Sequence, residues 1–120
     1  MSTIRRGDIY LVNFGKKYNS EFGKIRPALI IQNDIANRNI DLVAFKGVTV
    51  IPLTTQLSGG DIRVMIKKRD ALEQNSEICI NELCTLDLSR IDETKKCTVL
   101  TQKEIEEVEM KLKRHLGVAL

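Results

Sequence analysis

Tryptophan is absent from this chain, histidine occurs once, proline twice and cysteine three times, and only 4% of its 120 residues are aromatic. Each scarcity removes a class of chemistry. His115 is the single imidazole, so a His-assisted nucleophile has no base to call on. Its place in a basic, helix-like stretch suits capping or packing at the negative end of a helix dipole. Cys79, Cys84 and Cys97 are odd in number and form no CxxC or Cys/His group, so neither a disulfide framework nor a zinc site is expected, and they read as reduced, mostly buried thiols. Cys84 lacks the neighbouring base that a cysteine nucleophile needs. There is no GxGxxG, no GxxxxGK(S/T) and no HExxH, which leaves dinucleotide, nucleoside-triphosphate and zinc-hydrolase chemistry without their groups. No run of eighteen apolar residues occurs, and the start, Met-Ser-Thr-Ile-Arg-Arg, carries no apolar leader. The expectation is one soluble, cytoplasmic domain spanning residues 1–120, without membrane association, whose 42% hydrophobic content suffices for one core.

What is present is unevenly charged. Residues 1–69 hold 12 Lys/Arg against 5 Asp/Glu and residues 70–120 hold 7 against 11, so the two parts carry +7 and −4. A basic N-terminal part favours polyanions such as nucleic acid.

Short β-rich segments follow one another along the chain. DIYLVNF at 8–14 lies between Gly7 and Gly15 and reads as a strand, followed by an exposed loop at 15–24 with only Tyr18 and Phe22 apolar. Residues 26–32 then run without polar alternation, as in a strand covered on both faces, with Pro27 at its start where no ladder donor is missed. A polar connection at 33–41 has room for a helical turn. Strand signal resumes over 42–56, interrupted at Lys46-Gly47 and at Pro52, where a bulge, bend or edge is expected just before Thr54 and Thr55. After the turn at 58–61, Ile62, Val64 and Ile66 alternate with Arg63, Met65 and Lys67, the pattern of a half-exposed strand with one basic or flexible face. EICINELCTL at 77–86 reads as another strand, 87–91 as a short helical turn and 97–100 as a small strand. Five or six such strands make a small barrel or curled sheet.

The helix is specified most fully. Thr101 and Glu104 form a capping-box pattern, and Leu100 and Ile105 occupy the staple positions. Ile105, Val108, Leu112 and Leu116 make one apolar stripe, acidic residues precede basic ones along the dipole, and Gly117 ends the helix predicted over 101–116.

With the usual catalytic groups gone, Arg26 after the loop and Thr54 after the Pro52 bend remain. Alone, Arg26 reads as a surface ion-pair residue and Thr54 as an ordinary strand residue. Together, a rigid guanidinium fork and a short hydroxyl donor suffice to hold a phosphodiester.

"RRGDIYLVNF", "SEFGKIRPALIIQND" and "VIPLTTQ", in that order and spacing, resemble the MazF/PemK/Kid family of toxin endoribonucleases over nearly the whole chain. The resemblance implies a mainly β (α+β) fold, an SH3-like, partly open barrel of five to seven strands with short helices and a C-terminal α-helix. It implies a homodimer, growth inhibition relieved by a cognate antitoxin, DNA binding by the toxin–antitoxin complex, and cleavage of single-stranded RNA without metal or other cofactor. Carried over residue by residue, the catalytic arginine falls on Arg26 and the catalytic threonine on Thr54, with Thr55 the less favoured partner. Ser20 and Glu21 take matching loop positions. The segment "ICINELCTLD" resembles a family strand but has Glu82 where glutamine is usual and Cys84 where a basic residue is usual, two departures that bear on RNA affinity and base preference.

On this reading the RNA's own 2′-OH attacks the adjacent phosphorus, leaving a 2′,3′-cyclic phosphate and a 5′-OH. Arg26 stabilises the charge that builds on the phosphoryl oxygens, and Thr54 hydrogen-bonds the scissile phosphate. Glu21 is the candidate base, against the plainer reading of a solvated loop charge. Ser20, Phe22, Lys24, Thr55, Gln56, Asn81 and Glu82 are the candidate RNA-binding residues, with Phe22 favoured over Tyr18 as the stacking platform. The antitoxin is expected to be acidic and partly disordered. Two alternatives stand beside this reading: a gyrase-poisoning toxin of the same fold, disfavoured because its Trp-Gly-Ile-like ending is missing, and a non-catalytic RNA-binding module.

Overall fold

The computed structural model describes residues 2–15 and 24–119. Its seven strands are β1 (Asp8–Asn13), β2 (Ile25–Ile30), β3 (Gly47–Thr54), β4 (Arg63–Ile66), β5 (Ser76–Cys79), β6 (Cys84–Asp87) and β7 (Ile91–Val99). The helices are α1 (Asp34–Arg38) and the C-terminal α2 (Gln102–Leu116), with single 3-10 turns at Ile40–Leu42, Ile80–Glu82 and Leu88–Arg90. The strands pair antiparallel in the order β4-β5-β3-β2-β1-β7, and β6 joins β3 as a branch. The ladder leaves a partly open barrel with β4 and β7 as its ends. Residues 69–72 cover the β7 side, where Ala71 N–H donates to Cys97 O at 2.9 Å.

From Ala28 to Ile30 β2 is buried on both faces, as its unbroken apolar run suggests, while Ile25 is exposed and Arg26 and Pro27 are half-buried. Leu29 belongs to a cluster with Ile51, Leu53, Val64, Ile78 and Val108, beneath α2. Ala28 and Ile30 belong to a second cluster with Tyr10, Val12, Val48 and Val50. A period of two sends successive side chains to opposite faces, so one apolar strand serves two cores.

Pro52 lies inside β3, and neither a bulge nor a sheet edge is needed to accommodate it. β6 pairs with β3 up to Val50, and β5 pairs with it from Leu53 onward. The proline's missing donor therefore falls where β3 changes neighbour, and no ladder bond is lost. The same change of neighbour explains why residues 77–86 are not one strand. The chain leaves β5 opposite Leu53, turns through Ile80–Glu82 and re-enters as β6 opposite Val50.

Two further expectations are corrected. Residues 42–46 are not strand: Leu42 and Phe45 are 80% and 64% exposed, and β3 begins only at Gly47. The small strand expected at 97–100 is the end of the nine-residue β7, whose polar stretch from Asp92 to Lys96 is largely exposed and so carries no hydrophobic signal.

α2 starts as the capping pattern requires: Glu104 N–H donates to Thr101 Oγ1 at 3.2 Å, and Thr101 N–H donates to Glu104 Oε1 at 2.8 Å. Gly117 closes the helix in the left-handed conformation at φ 72°. Val108 is buried, with Ile105 and Leu112 packed against the first cluster, but Leu116 is 54% exposed and lies outside the stripe's covered part.

Candidate active site

The β2/β3 ladder runs Ile30 opposite Val50, Leu29 opposite Ile51 and Ala28 opposite Pro52. Counting the same register two residues further sets Arg26 opposite Thr54, on one face of the sheet by the alternation of the pleat. On its other side Arg26 pairs with Val12 of β1. The two residues singled out from the sequence thus stand at the same end of two neighbouring strands, on regular backbone that fixes their direction. Arg26 is half-buried, and Thr54 is 2% exposed.

Thr54 is held by its surroundings in two ways. It pairs with Glu77 of β5, and its Oγ1 accepts a hydrogen bond from Gln56 N–H at 3.1 Å. A hydroxyl that accepts in this way keeps its own proton for another partner. Thr55 and Gln56 follow as exposed residues at the rim, and Lys24 is exposed at the start of β2, where its carbonyl accepts from Phe14 N–H at 3.2 Å. Ser20, Glu21, Phe22 and Tyr18 lie outside the described residues.

Asn81 and Glu82 are exposed in the 3-10 turn after β5. The β3/β5 register, continued to Ile80, brings that turn level with Ile51 rather than Thr54, three residues or about 10 Å along the strand. The structure therefore gathers Lys24, Arg26, Thr54, Thr55 and Gln56 at one end and sets Asn81 and Glu82 apart.

Two charged residues with no functional role expected from the sequence, Glu77 and Arg63, sit behind Thr54. Glu77 is 3% exposed, and its carboxylate accepts from Ser58 N–H at 2.9 Å, Gly59 N–H at 3.0 Å and Arg63 Nη1 at 3.2 Å. Burial alone would raise its pKa, but the two amides and the guanidinium together hold it below the usual carboxylate range. Arg63, expected on the exposed face of β4, is half-buried instead, because Glu77 is its diagonal cross-strand neighbour. A carboxylate directly before the apolar run Ile78-Cys79-Ile80 is the one signal available in the sequence.

Two hollows of about 530 and 580 Å³ lie side by side along β7, sharing Leu11 and Lys95. The first also takes in Pro27, Thr55, Lys96 and residues 71–74; the second takes in Asn13, Ile25 and Arg90. Neither is lined by Arg26 or Thr54, but Pro27 and Thr55, the next residues along, form part of the first wall. Among the described residues no three His, Cys, Asp or Glu side chains converge as a metal site, and no helix is long and apolar enough to cross a membrane.

This architecture is that of solved toxins. The structure matches the Mycobacterium tuberculosis toxin MazF-mt6 with a TM-score of 0.75 at 17% identity, over 94% of this chain and 99% of that one. It matches MazF from Deinococcus radiodurans with a TM-score of 0.77 at 21% identity, over 98% and 100%. An endoribonuclease from a mycobacterial species, solved in complex with its cognate antitoxin, matches with a TM-score of 0.76 at 19% identity, over 98% and 99%. At such identities the likeness defines the fold. The family follows from the sequence: the model for the PemK-like, MazF-like toxin of type II toxin-antitoxin systems matches residues 5–116, and the chain belongs to that family.

Proposed function

We propose that this toxin is a sequence-specific endoribonuclease that cuts single-stranded RNA without a metal ion. The observation that carries the reading is the register that puts Arg26 and Thr54 at one end of β2 and β3. The 2′-oxygen of the nucleotide before the cut attacks phosphorus and gives up its proton, while the bond to the 5′-oxygen breaks and that oxygen gains a proton. The products are a 2′,3′-cyclic phosphate and a 5′-OH. Glu21 is the candidate acceptor of the first proton. The Arg26 guanidinium offers a fork of donors to the phosphoryl oxygens as their charge grows and is the candidate donor of the proton to the 5′-oxygen. The Thr54 hydroxyl, whose hydrogen is left free by its bond from Gln56, hydrogen-bonds the scissile phosphate without giving up that proton. Because Thr54 is buried and Arg26 is not, a phosphate meets the guanidinium first and reaches the hydroxyl only as neighbouring side chains give way.

Lys24, Thr55 and Gln56 border that position and would contact the nucleotides beside the cut. Asn81 and Glu82, farther along β3, would contact one more distant, and Ser20 and Phe22 are the loop's candidates for RNA contact. The first hollow along β7, with Lys95 and Lys96 against Glu73 in its wall, suits an extended polyanion such as RNA or an acidic antitoxin segment competing with it, whereas in the second Arg90 and Lys95 are balanced by Asp92 and Glu93. A homodimer acting in the cytoplasm completes the reading.

The test is cleavage of a long single-stranded RNA by the purified protein in EDTA, alongside Arg26→Ala and Thr54→Ala, with end-group analysis. Discrete fragments with cyclic-phosphate and 5′-OH ends, reduced about 10²–10³-fold in either folded variant, are expected. RNA binding without product ends would move the assignment to a non-catalytic module. Neither binding nor cleavage would move it to a toxin acting on a protein such as gyrase.

A further inference from the structure

Behind the candidate pair a buried carboxylate is linked to the Thr54 hydroxyl by hydrogen bonds on either side of the Gln56 backbone. Glu77 stands directly opposite Thr54 in the β3/β5 ladder. Its two oxygens are filled by Ser58 N–H, Gly59 N–H and Arg63 Nη1, and the same Nη1 reaches Gln56 O at 3.3 Å. The Gln56 amide in turn donates to Thr54 Oγ1 at 3.1 Å. Gly59, at φ +68°, takes the left-handed conformation that turns its amide toward the carboxylate, a shape costly for any side-chain-bearing residue. The segment after Thr54 is thus tied at Gln56, Ser58 and Gly59 to one buried acid.

We propose that Glu77 is a positioning residue for the RNA cleavage assigned above, acting through Arg63 and the 56–59 backbone to fix the direction of the Thr54 hydroxyl. The inference rests on that assignment. A salt bridge placed only for stability has no need to hold the Gln56 carbonyl, on the residue whose amide meets Thr54 Oγ1, and the strand pairing of β4 with β5 is complete without it. Glu77 touches neither substrate nor scissile bond. It removes the rotational freedom of a group that must meet a phosphate oxygen within a few tenths of an ångström, and misplacement on that scale is costly in rate.

Glu77→Gln keeps the volume but turns an acceptor into a donor that faces either the loop amides or Arg63. The experiment measures kcat and KM on a short RNA for the wild type and Glu77→Gln, then repeats the comparison in a Thr54→Ser background. Serine keeps the hydroxyl and lacks the γ-methyl that restricts its rotor. The expected result is a roughly tenfold or greater fall in kcat with KM little changed, and a fall at least roughly threefold larger in the Thr54→Ser background, since coupled residues are non-additive. An equal factor in both backgrounds, or no fall at all, overturns the inference while leaving the nuclease assignment intact. No cleavage by folded wild-type protein overturns the assignment and the inference with it. Should Glu77→Gln fail to fold, Arg63→Lys, which keeps the charge and loses the fork that spans Glu77 and Gln56, carries the same comparison with the same two outcomes.

Discussion

Arg26 shows how much of a site can rest on one side chain's geometry. Lysine at the same position would keep the positive charge and lose the planar set of donors, so Arg26→Lys separates charge from shape. If the guanidinium fork is what meets the transition state, Arg26→Lys retains RNA affinity within roughly threefold but loses on the order of 10²-fold in kcat, as removal of a preorganised donor does. Fluorescence anisotropy of labelled RNA together with single-turnover cleavage measures both; a kcat near wild type would show that charge alone suffices. Glu77 was harder to see than Arg26. A lone acid at the start of a short strand has no sequence pattern that says which loop amides it will meet, because Ser58 and Gly59 are brought to it by a turn of two glycines rather than by any strand.

At the level of elements, legibility followed the source of each element's stability. α2 announces itself because caps and stripe are local, and Thr101→Ala removes the acceptor for Glu104 N–H. A loss of about 1 kcal/mol is expected. Thermal unfolding reads this as a midpoint roughly 4 °C lower, and an unchanged midpoint would mean that the Glu104 side, which also takes both Nη atoms of Arg69 at 2.7 Å, holds the helix start by itself. β2 was legible for a different reason, its unbroken apolar run. β7 was not, since it is built on backbone pairing with β1 while Asp92 to Lys96 face largely outward. Residues 42–46 misled in the opposite sense: Leu42, Val43 and Phe45 have strand-like side chains but no partner strand, so propensity found nothing to pair with. The break between β5 and β6 likewise depends on where β3 changes neighbour, which only the assembled sheet decides.

For the molecule as a whole, buried and paired ionisable groups set the pH range in which it holds together. Hydrogen bonds from Arg69 lead in holding Glu104 below the usual carboxylate range, and Glu77 is held down as described. The unfolded chain takes up protons at these groups near pH 4.3, the folded one only at lower pH. Their contribution is therefore complete above that range and is lost as pH falls through the folded values. Tyr10 acts at the other limit. Burial, then the charge of Asp8, pushes its phenol up to about 12, and its O–H donates to Asp8 Oδ2 at 3.2 Å. An unfolded tyrosine ionises near pH 10, so stability is complete below that and declines as pH rises toward 12. Melting profiles should fall at both ends. Glu104→Gln should flatten the acid side and Tyr10→Phe the alkaline side; variants that kept the wild-type slopes would remove these groups as the cause.

The double burial of β2 also bears on how such a toxin diversifies. Leu29 feeds one core while Ala28 and Ile30 feed the other. Inserting or deleting a single residue between Ile25 and Ile30 would exchange the two sets and turn Arg26 away from Thr54 in the same stroke. Change is left to substitutions that keep the count, and even the connection after β3 is held to its length where Ser58 and Gly59 meet Glu77.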